Sequence, residues 1–80
     1  MKVFEFIDVV ARFHQYVMRG NTGDAAAFAG KLGISRASLF NLINELKSYG
    51  IDIGYSRMRQ TYYYQYPDKV EIRISICQYD

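Results

Sequence analysis

The sequence predicts a small α+β domain in which three helices precede a β-hairpin and a further C-terminal strand. Two observations lead to this fold class. Apolar residues recur with helical spacing as far as Gly50, and after Gly50 they alternate with polar residues as they do in strands. A chain of 80 residues has room for one hydrophobic core, so residues 1–80 are predicted to form a single domain.

The first helix is predicted over residues 4–18. Its apolar residues follow helical spacing on one broad face, which comprises Phe6, Val9, Val10, Phe13, Tyr16 and Val17. Four more apolar residues extend this surface around the helix: Phe4, Ile7, Ala11 and Met18. A domain this small has difficulty covering both sides of a helix. Two interpretations therefore stay open: the helix is buried on most sides, or part of its face meets a second copy of the chain.

Two more helices are predicted on either side of Gly33. The shorter one covers residues 24–32, and the hydroxyl of Thr22 is expected to cap its first free N–H groups. Gly33 can adopt the positive φ that a sharp turn requires. The longer helix covers residues 36–49, with Ser35 as its N-terminal cap. A short helix, a glycine-containing turn and a longer helix together indicate a helix-turn-helix.

A β-hairpin is predicted after Gly50, which is expected to cap the third helix. Residues 51–55 alternate between apolar and polar side chains, and residues 56–60 are typical of a turn. Residues 61–66 include four tyrosines and form the predicted second strand. A further strand is predicted over residues 70–77, which have the clearest alternation in the chain.

The tyrosines of the predicted second strand alternate between its two sides. Three of them, Tyr62, Tyr64 and Tyr66, share one side. Tyr63 points to the other side. We expect the run to be structural, with the hairpin packed over the third helix and Tyr55 lying across the hairpin.

Composition argues against several classes of protein. The net charge of +2 permits contact with an anionic partner without requiring it. The single cysteine, Cys77, and the single histidine, His14, provide neither an internal disulfide nor a metal cluster, and a reducing, cytoplasmic location is expected. The apolar run over residues 3–10 is too short to span a bilayer and precedes no cleavage signal, so we expect a soluble, unprocessed protein. No catalytic Ser/His/Asp set, carboxylate pair or glycine-rich phosphate loop is evident in the sequence, so neither an enzyme nor a cofactor is expected.

Two segments resemble winged helix-turn-helix domains, among them the N-terminal domain of biotin repressors and the DeoR-type regulators. FAGKLGISR, at residues 28–36, is similar to the LAxxLGISR segment of these domains. ELKSYGIDI, at residues 45–53, is similar to their ELKxxGxxI exit into the wing. Three shorter segments look most like small free-standing bacterial members: residues 22–23, 55–57 and 61–64. The resemblance covers about residues 13–66 and implies a winged helix-turn-helix fold with the hairpin as its wing.

In that family the third helix enters the major groove of DNA. The resemblance therefore implies a small bacterial transcriptional regulator that binds duplex DNA sequence-specifically. The residues expected to contact DNA lie on the outward side of the third helix and at the hairpin tip: Arg36, Ser38, Asn41, Asn44, Lys47, Arg57, Arg59 and Gln60. Arginine can pair bidentately with guanine and asparagine with adenine. The polar residues of the hairpin tip suit phosphates or the minor groove.

A homodimer is expected, because one domain of this size reads few bases and a dimer matches a pseudo-palindromic site. The candidate interfaces are the surplus apolar face of the first helix and the edge of the final strand.

A protein-interaction module on the same scaffold, without DNA binding, is the alternative. Position 41 is often basic in the family but is Asn here. Phe40 leans outward from the third helix, where an exposed aromatic suits a thymine methyl group and a protein partner equally well. The candidate surface for such a partner combines Phe40 with the tyrosine-rich stretch over residues 62–66.

Overall fold

The computed structural model describes residues 3–67. Its elements follow in the order α1 (Val3–Arg19), α2 (Ala25–Leu32), α3 (Arg36–Ser48), β1 (Ile53–Ser56) and β2 (Thr61–Tyr64). Three helices followed by a two-stranded antiparallel hairpin confirm the α+β prediction and are compatible with a winged-helix layout. The strand predicted over residues 70–77 lies outside the described residues. Within residues 3–67, no helix is long and apolar enough to cross a membrane.

The core lies where the three helices and the hairpin meet. α1 contributes a stripe of residues four apart, Val9, Phe13 and Val17, which lie above one another on a helix. The ring of Phe13 stacks on that of Phe28 in α2 at a centroid distance of 5.0 Å, and both side chains are fully buried. Full burial of a phenylalanine side chain stabilises a fold by about 1.5–3 kcal/mol. The other elements contribute Leu39, Leu42, Ile43, Leu46, Ile53, Tyr62 and Tyr64.

The apolar surface of α1 is only partly covered. Val10 and Tyr16 are partly buried against the core, whereas Phe4 and Met18 are 70% and 62% exposed. Phe6 is also exposed. The described part of the chain therefore covers one stripe of α1 and does not bury the helix on most sides.

The N-terminal cap of α2 is Asp24. Its Oδ1 accepts the backbone N–H of Ala27 at 2.9 Å. The prediction that Thr22 caps this helix is wrong, because its buried hydroxyl instead bonds to the hairpin. At the other end of α2, Gly33 adopts a φ of 71°, as the sharp turn was predicted to require.

α3 begins and ends nearly where the sequence predicts. The hydroxyl oxygen of Ser35 accepts the N–H of Ser38 at 3.0 Å, which confirms the predicted N-terminal cap. The helix ends at Ser48, and its C-terminal cap is Tyr49 rather than the predicted Gly50. Gly50 follows with a φ of 86°. It therefore supplies the left-handed residue after the helix, one position beyond the cap.

The hairpin pairs β1 and β2 in antiparallel register, with Ile53 opposite Tyr64. Tyr62 and Tyr64 are buried whereas Tyr63 is exposed, so the predicted alternation is confirmed within β2. Tyr66 follows the end of the strand and is exposed. The predicted strand over residues 61–66 is therefore two residues too long, since β2 ends at Tyr64.

Two tyrosine rings of the hairpin pack against α1 and α2. The ring of Tyr62 lies 5.7 Å from that of Phe28 in α2, and the ring of Tyr64 lies 5.6 Å from that of His14 in α1. The two side chains also belong to the buried cluster that contains Leu39 and Leu42 of α3. Tyr55 lies across the hairpin from Tyr62, with a centroid distance of 4.8 Å, as predicted.

Candidate nucleic-acid interface

Thr22 attaches the hairpin to the helices. Its side chain is fully buried, and its hydroxyl oxygen accepts the backbone N–H of Tyr62 at 2.7 Å. The backbone N–H of Thr22 in turn donates to Oγ1 of Thr61 at 3.2 Å. Because both threonines are shielded from water, these hydrogen bonds hold the hairpin at a fixed position relative to the start of α2.

The hydroxyl of Tyr62 lies near the starts of α2 and α3. Burial raises the pKa of Tyr62 above its usual 10.0, and the neighbouring Tyr55 and Asp24 raise it further. Arg36 acts on this pKa in the opposite direction, because a cation favours the phenolate. Asp24 caps α2 and Arg36 begins α3. Charges at the starts of both helices therefore act on this hydroxyl.

The exposed surface of α3 has two flanks, and we call the one nearer the hairpin the hairpin flank. Its members recur every three or four residues and so share one side of the helix. They are Arg36, Phe40, Asn44 and Lys47. Arg36 acts electrostatically on the Tyr62 hydroxyl, and Lys47 lines a depression at the base of the hairpin together with Asp52 and Gln65.

The opposite side of α3, which we call the α1 flank, consists of Ser38, Asn41 and Glu45. These residues line a groove of about 260 Å³ together with Phe6 and Val9 of α1. The hydroxyl of Ser38 is half-buried and accepts a hydrogen bond from that of Ser35 at 3.0 Å. The carboxylate of Glu45 makes this flank less favourable for an anionic partner. The helix residues that the resemblance implied as DNA contacts are thus divided: Arg36, Asn44 and Lys47 on the hairpin flank, and Ser38 and Asn41 on the α1 flank.

The hairpin tip consists of four exposed residues between the two strands: Arg57, Met58, Arg59 and Gln60. The backbone N–H of Arg59 donates to Oγ of Ser56 at 3.3 Å. Gln60 has a φ of 52°, in the left-handed region that side chains other than glycine seldom adopt. The turn therefore has a defined conformation, in which both arginines lie on the surface.

The cations of the hairpin flank and the hairpin tip are available to a ligand: Arg36, Lys47, Arg57 and Arg59. Their side chains form no hydrogen bond or ion pair with any other residue of the range 3–67. Elsewhere, Arg12 pairs with Asp8 at 3.7 Å and donates to the carbonyl of Lys31 at 2.5 Å. The ammonium of Lys31 donates to the carbonyl of Asn21 at 2.6 Å. The exposed cations thus differ in role, because Arg12 and Lys31 connect α1, α2 and the loop between them.

Arg19 is a cation that the sequence did not predict as a contact residue. It lines a depression of about 570 Å³ between the end of α1 and the hairpin, together with Arg59 and Tyr63. In the sequence it is an ordinary cation of a last helical turn, where it interacts favourably with the helix dipole. Only the packing of the hairpin against α1 brings it near the hairpin tip.

Comparisons with protein-family models, with curated proteins and with solved structures found no match.

Proposed function

We propose that this domain binds duplex DNA sequence-specifically as a small, cytoplasmic bacterial transcriptional regulator. In this proposal α3 lies in the major groove and the hairpin contacts the sugar-phosphate backbone. The observation that carries the proposal is the position of Arg36 and Lys47 on the same side of the molecule as the hairpin. Their side chains, like those of the hairpin-tip arginines, form no hydrogen bond or ion pair within residues 3–67.

The chemistry of the hairpin flank suits base recognition. The major groove, about 12 Å wide, admits an α-helix. The guanidinium of Arg36 matches the two acceptors of guanine, and the amide of Asn44 matches the donor and acceptor of adenine. Lys47 and the hairpin-tip arginines supply phosphate contacts, which position a protein on DNA without reading its sequence.

The proposal includes a homodimer. Phe4 and Phe6 of α1 are exposed apolar side chains on the helix face that the sequence singled out as an interface candidate. A two-fold dimer would place two copies of α3 about 34–36 Å apart, one turn of DNA, on a pseudo-palindromic site.

The test is a selection from a random duplex library, followed by fluorescence anisotropy with the selected duplex across a salt series. We expect log affinity to fall linearly with log salt concentration. Arg36→Ala should weaken binding about tenfold and relax the sequence preference, because a base contact contributes about 1–3 kcal/mol of discrimination. A double variant, Arg57→Ala with Arg59→Ala, should weaken binding to all sequences and lower the salt slope by about 2.

Arg12→Gln is the matched control. It removes one positive charge from a residue outside the hairpin flank and the hairpin tip, whose partners are Asp8 and the carbonyl of Lys31. We expect near-native binding from this variant. The proposal is wrong if the folded wild-type protein enriches no sequence and binds no duplex at low salt.

A protein-interaction module is the second candidate function, and the exposure of Phe40 favours it. This side chain is 43% exposed at the centre of the hairpin flank, and aromatic side chains are enriched at protein interfaces. The two candidates differ in the effect of salt. A partner that docks on Phe40 should lose affinity with Phe40→Ala and respond little to salt, whereas DNA binding should respond strongly to salt.

A further inference from the structure

Met58 occupies the hairpin tip between the two arginines and is 96% exposed. The side chain therefore adds almost nothing to the packing of the described residues. Arg57 and Arg59 flank it in the chain, and neither side chain forms a hydrogen bond or ion pair within residues 3–67. The tip thus presents one flexible apolar side chain between two cations.

The turn that carries Met58 has a defined backbone conformation. Ser56 and Thr61 form the last pair of the hairpin, so only four residues make the turn. The backbone N–H of Arg59 donates to Oγ of Ser56 at 3.3 Å. Gln60 holds a φ of 52°, and residues kept in such sparsely populated conformations cluster at functional sites.

Strand β2 is also attached to the helical part of the domain. The N–H of Tyr62 donates to Oγ1 of Thr22 at 2.7 Å, and the hydroxyl of Tyr64 lies 2.8 Å from Nδ1 of His14. These contacts fix both ends of β2 to the helical part of the domain. These contacts restrict the movement of the hairpin relative to the helices, as simultaneous contact with two neighbouring DNA grooves requires.

We propose that Met58 is an apolar wedge that enters a base-pair step of the minor groove beside the major-groove site of α3. Arg57 and Arg59 bind the phosphates on either side of that step. This inference rests on the proposed DNA binding. Apolar side chains inserted between base pairs partly unstack them and bend the duplex toward the major groove.

The wedge also predicts a sequence preference at a position that α3 does not touch. Pyrimidine–purine steps such as TA and CA/TG are the most easily unstacked and kinked. A selected DNA site should therefore contain such a step where the hairpin tip reaches, about half of a 34 Å helical turn from the bases that α3 reads.

The experiment uses the selected duplex with 2-aminopurine in that flexible step and a donor and acceptor dye at its ends. The fluorescence of 2-aminopurine rises when it is unstacked, and energy transfer between the dyes reports bending. Wild-type protein should raise both signals. Met58→Leu should retain them, because leucine can also act as a wedge.

Met58→Ala should lose both signals and bind about tenfold more weakly. The salt slope and the sequence preference at the bases that α3 contacts should stay unchanged. Its thermal unfolding midpoint should equal that of the wild type, because the side chain packs against almost nothing. If the wild type binds with a clear salt slope but neither signal changes, the wedge is wrong and DNA binding stands. The wedge is also wrong if Met58→Ala gives the wild-type signals. Absence of any duplex binding by the wild type overturns both proposals.

Discussion

The hydroxyl oxygen of Thr22 accepts the backbone N–H of Tyr62 at 2.7 Å, and this hydrogen bond joins the loop before α2 to strand β2. The same hydroxyl lies 2.9 Å from the carbonyl oxygen of Gly23, to which it donates. One buried side chain thus satisfies polar groups of two separate parts of the chain. Since leaving a buried N–H without a partner costs about 1–3 kcal/mol, the position of the hairpin depends on this residue.

Thr22→Val should lower the free energy of unfolding by about 1–3 kcal/mol, because valine keeps the shape of threonine but cannot accept the N–H of Tyr62. Urea denaturation measures this loss. Thr22→Ser is the matched control and should cost less, since it keeps the hydroxyl. Amide hydrogen exchange at Tyr62 should accelerate in the valine variant. Wild-type stability and wild-type amide exchange in the valine variant would show that the hydroxyl contributes nothing.

Thr22 also shows where prediction from the sequence reaches its limit. Asn21, Thr22 and Asp24 all have side chains that can cap a helix, and local preference does not decide among them. Thr22 is not the cap because its hydroxyl bonds to that of Thr61, which lies 39 residues further along the chain. In contrast, the turn at Gly33 and the cap at Ser35 depend on residues close in sequence, and both predictions are confirmed.

The candidate site, too, could be predicted from the sequence only in part. Helical spacing alone shows which residues of α3 are outward, and Arg36, Asn41 and Asn44 are indeed exposed. It does not show which neighbour each flank faces. The hairpin lies beside Arg36 and α1 lies beside Asn41, and both placements result from tertiary packing. Whether any of these residues contacts DNA stays a prediction.

Gly30→Ala should raise the free energy of unfolding by about 0.5–1 kcal/mol, because alanine loses less conformational freedom than glycine in a helix. Gly30 lies on the exposed surface of α2, and a Cβ atom there would meet nothing within 4 Å. Nothing in the structure explains the glycine at this position. Urea denaturation checks the gain.

Gly23→Ala is the contrasting variant and should destabilise the fold by about 1–2 kcal/mol. Gly23 has a φ of 76°, and a Cβ atom there would lie 2.8 Å from the Cβ of Ala27. Both the backbone conformation and the close approach therefore favour glycine. A gain in stability from this variant would contradict the packing of the loop against α2.

Alkaline pH should weaken the fold through Tyr64. Burial raises the pKa of Tyr64 above its usual 10.0, so the folded state keeps the phenol proton to a higher pH than the unfolded state. The resulting contribution to stability is fully present below about pH 10 and is lost as the pH rises toward the folded-state pKa. Urea denaturation between pH 8 and pH 11, a range chosen around the tyrosine pKa of about 10, should show this decline.

Tyr64→Phe separates this effect from the rest of the protein. At neutral pH it should cost about 0.5–1.5 kcal/mol, because the hydrogen bond between the Tyr64 hydroxyl and Nδ1 of His14 is lost. Above pH 10 its stability should fall less steeply than that of the wild type. Tyr49→Phe, at an exposed tyrosine, should reproduce the wild-type decline. Identical pH dependence of the Tyr64 variant and the wild type would rule out this residue as the cause.

The two flanks of α3 should differ in their effect on DNA binding. Asn44→Ala removes an amide from the hairpin flank, whereas Asn41→Ala removes one from the α1 flank, where the carboxylate of Glu45 lines the same groove. If the hairpin flank faces the bases, Asn44→Ala should weaken binding by about 1–3 kcal/mol at one base position and relax the preference for adenine there. Asn41→Ala should then change affinity by less than about threefold, or 0.7 kcal/mol. Anisotropy with duplexes that vary one base pair at a time measures both effects. The reverse order of effects would place the α1 flank in the groove and move the hairpin away from the DNA.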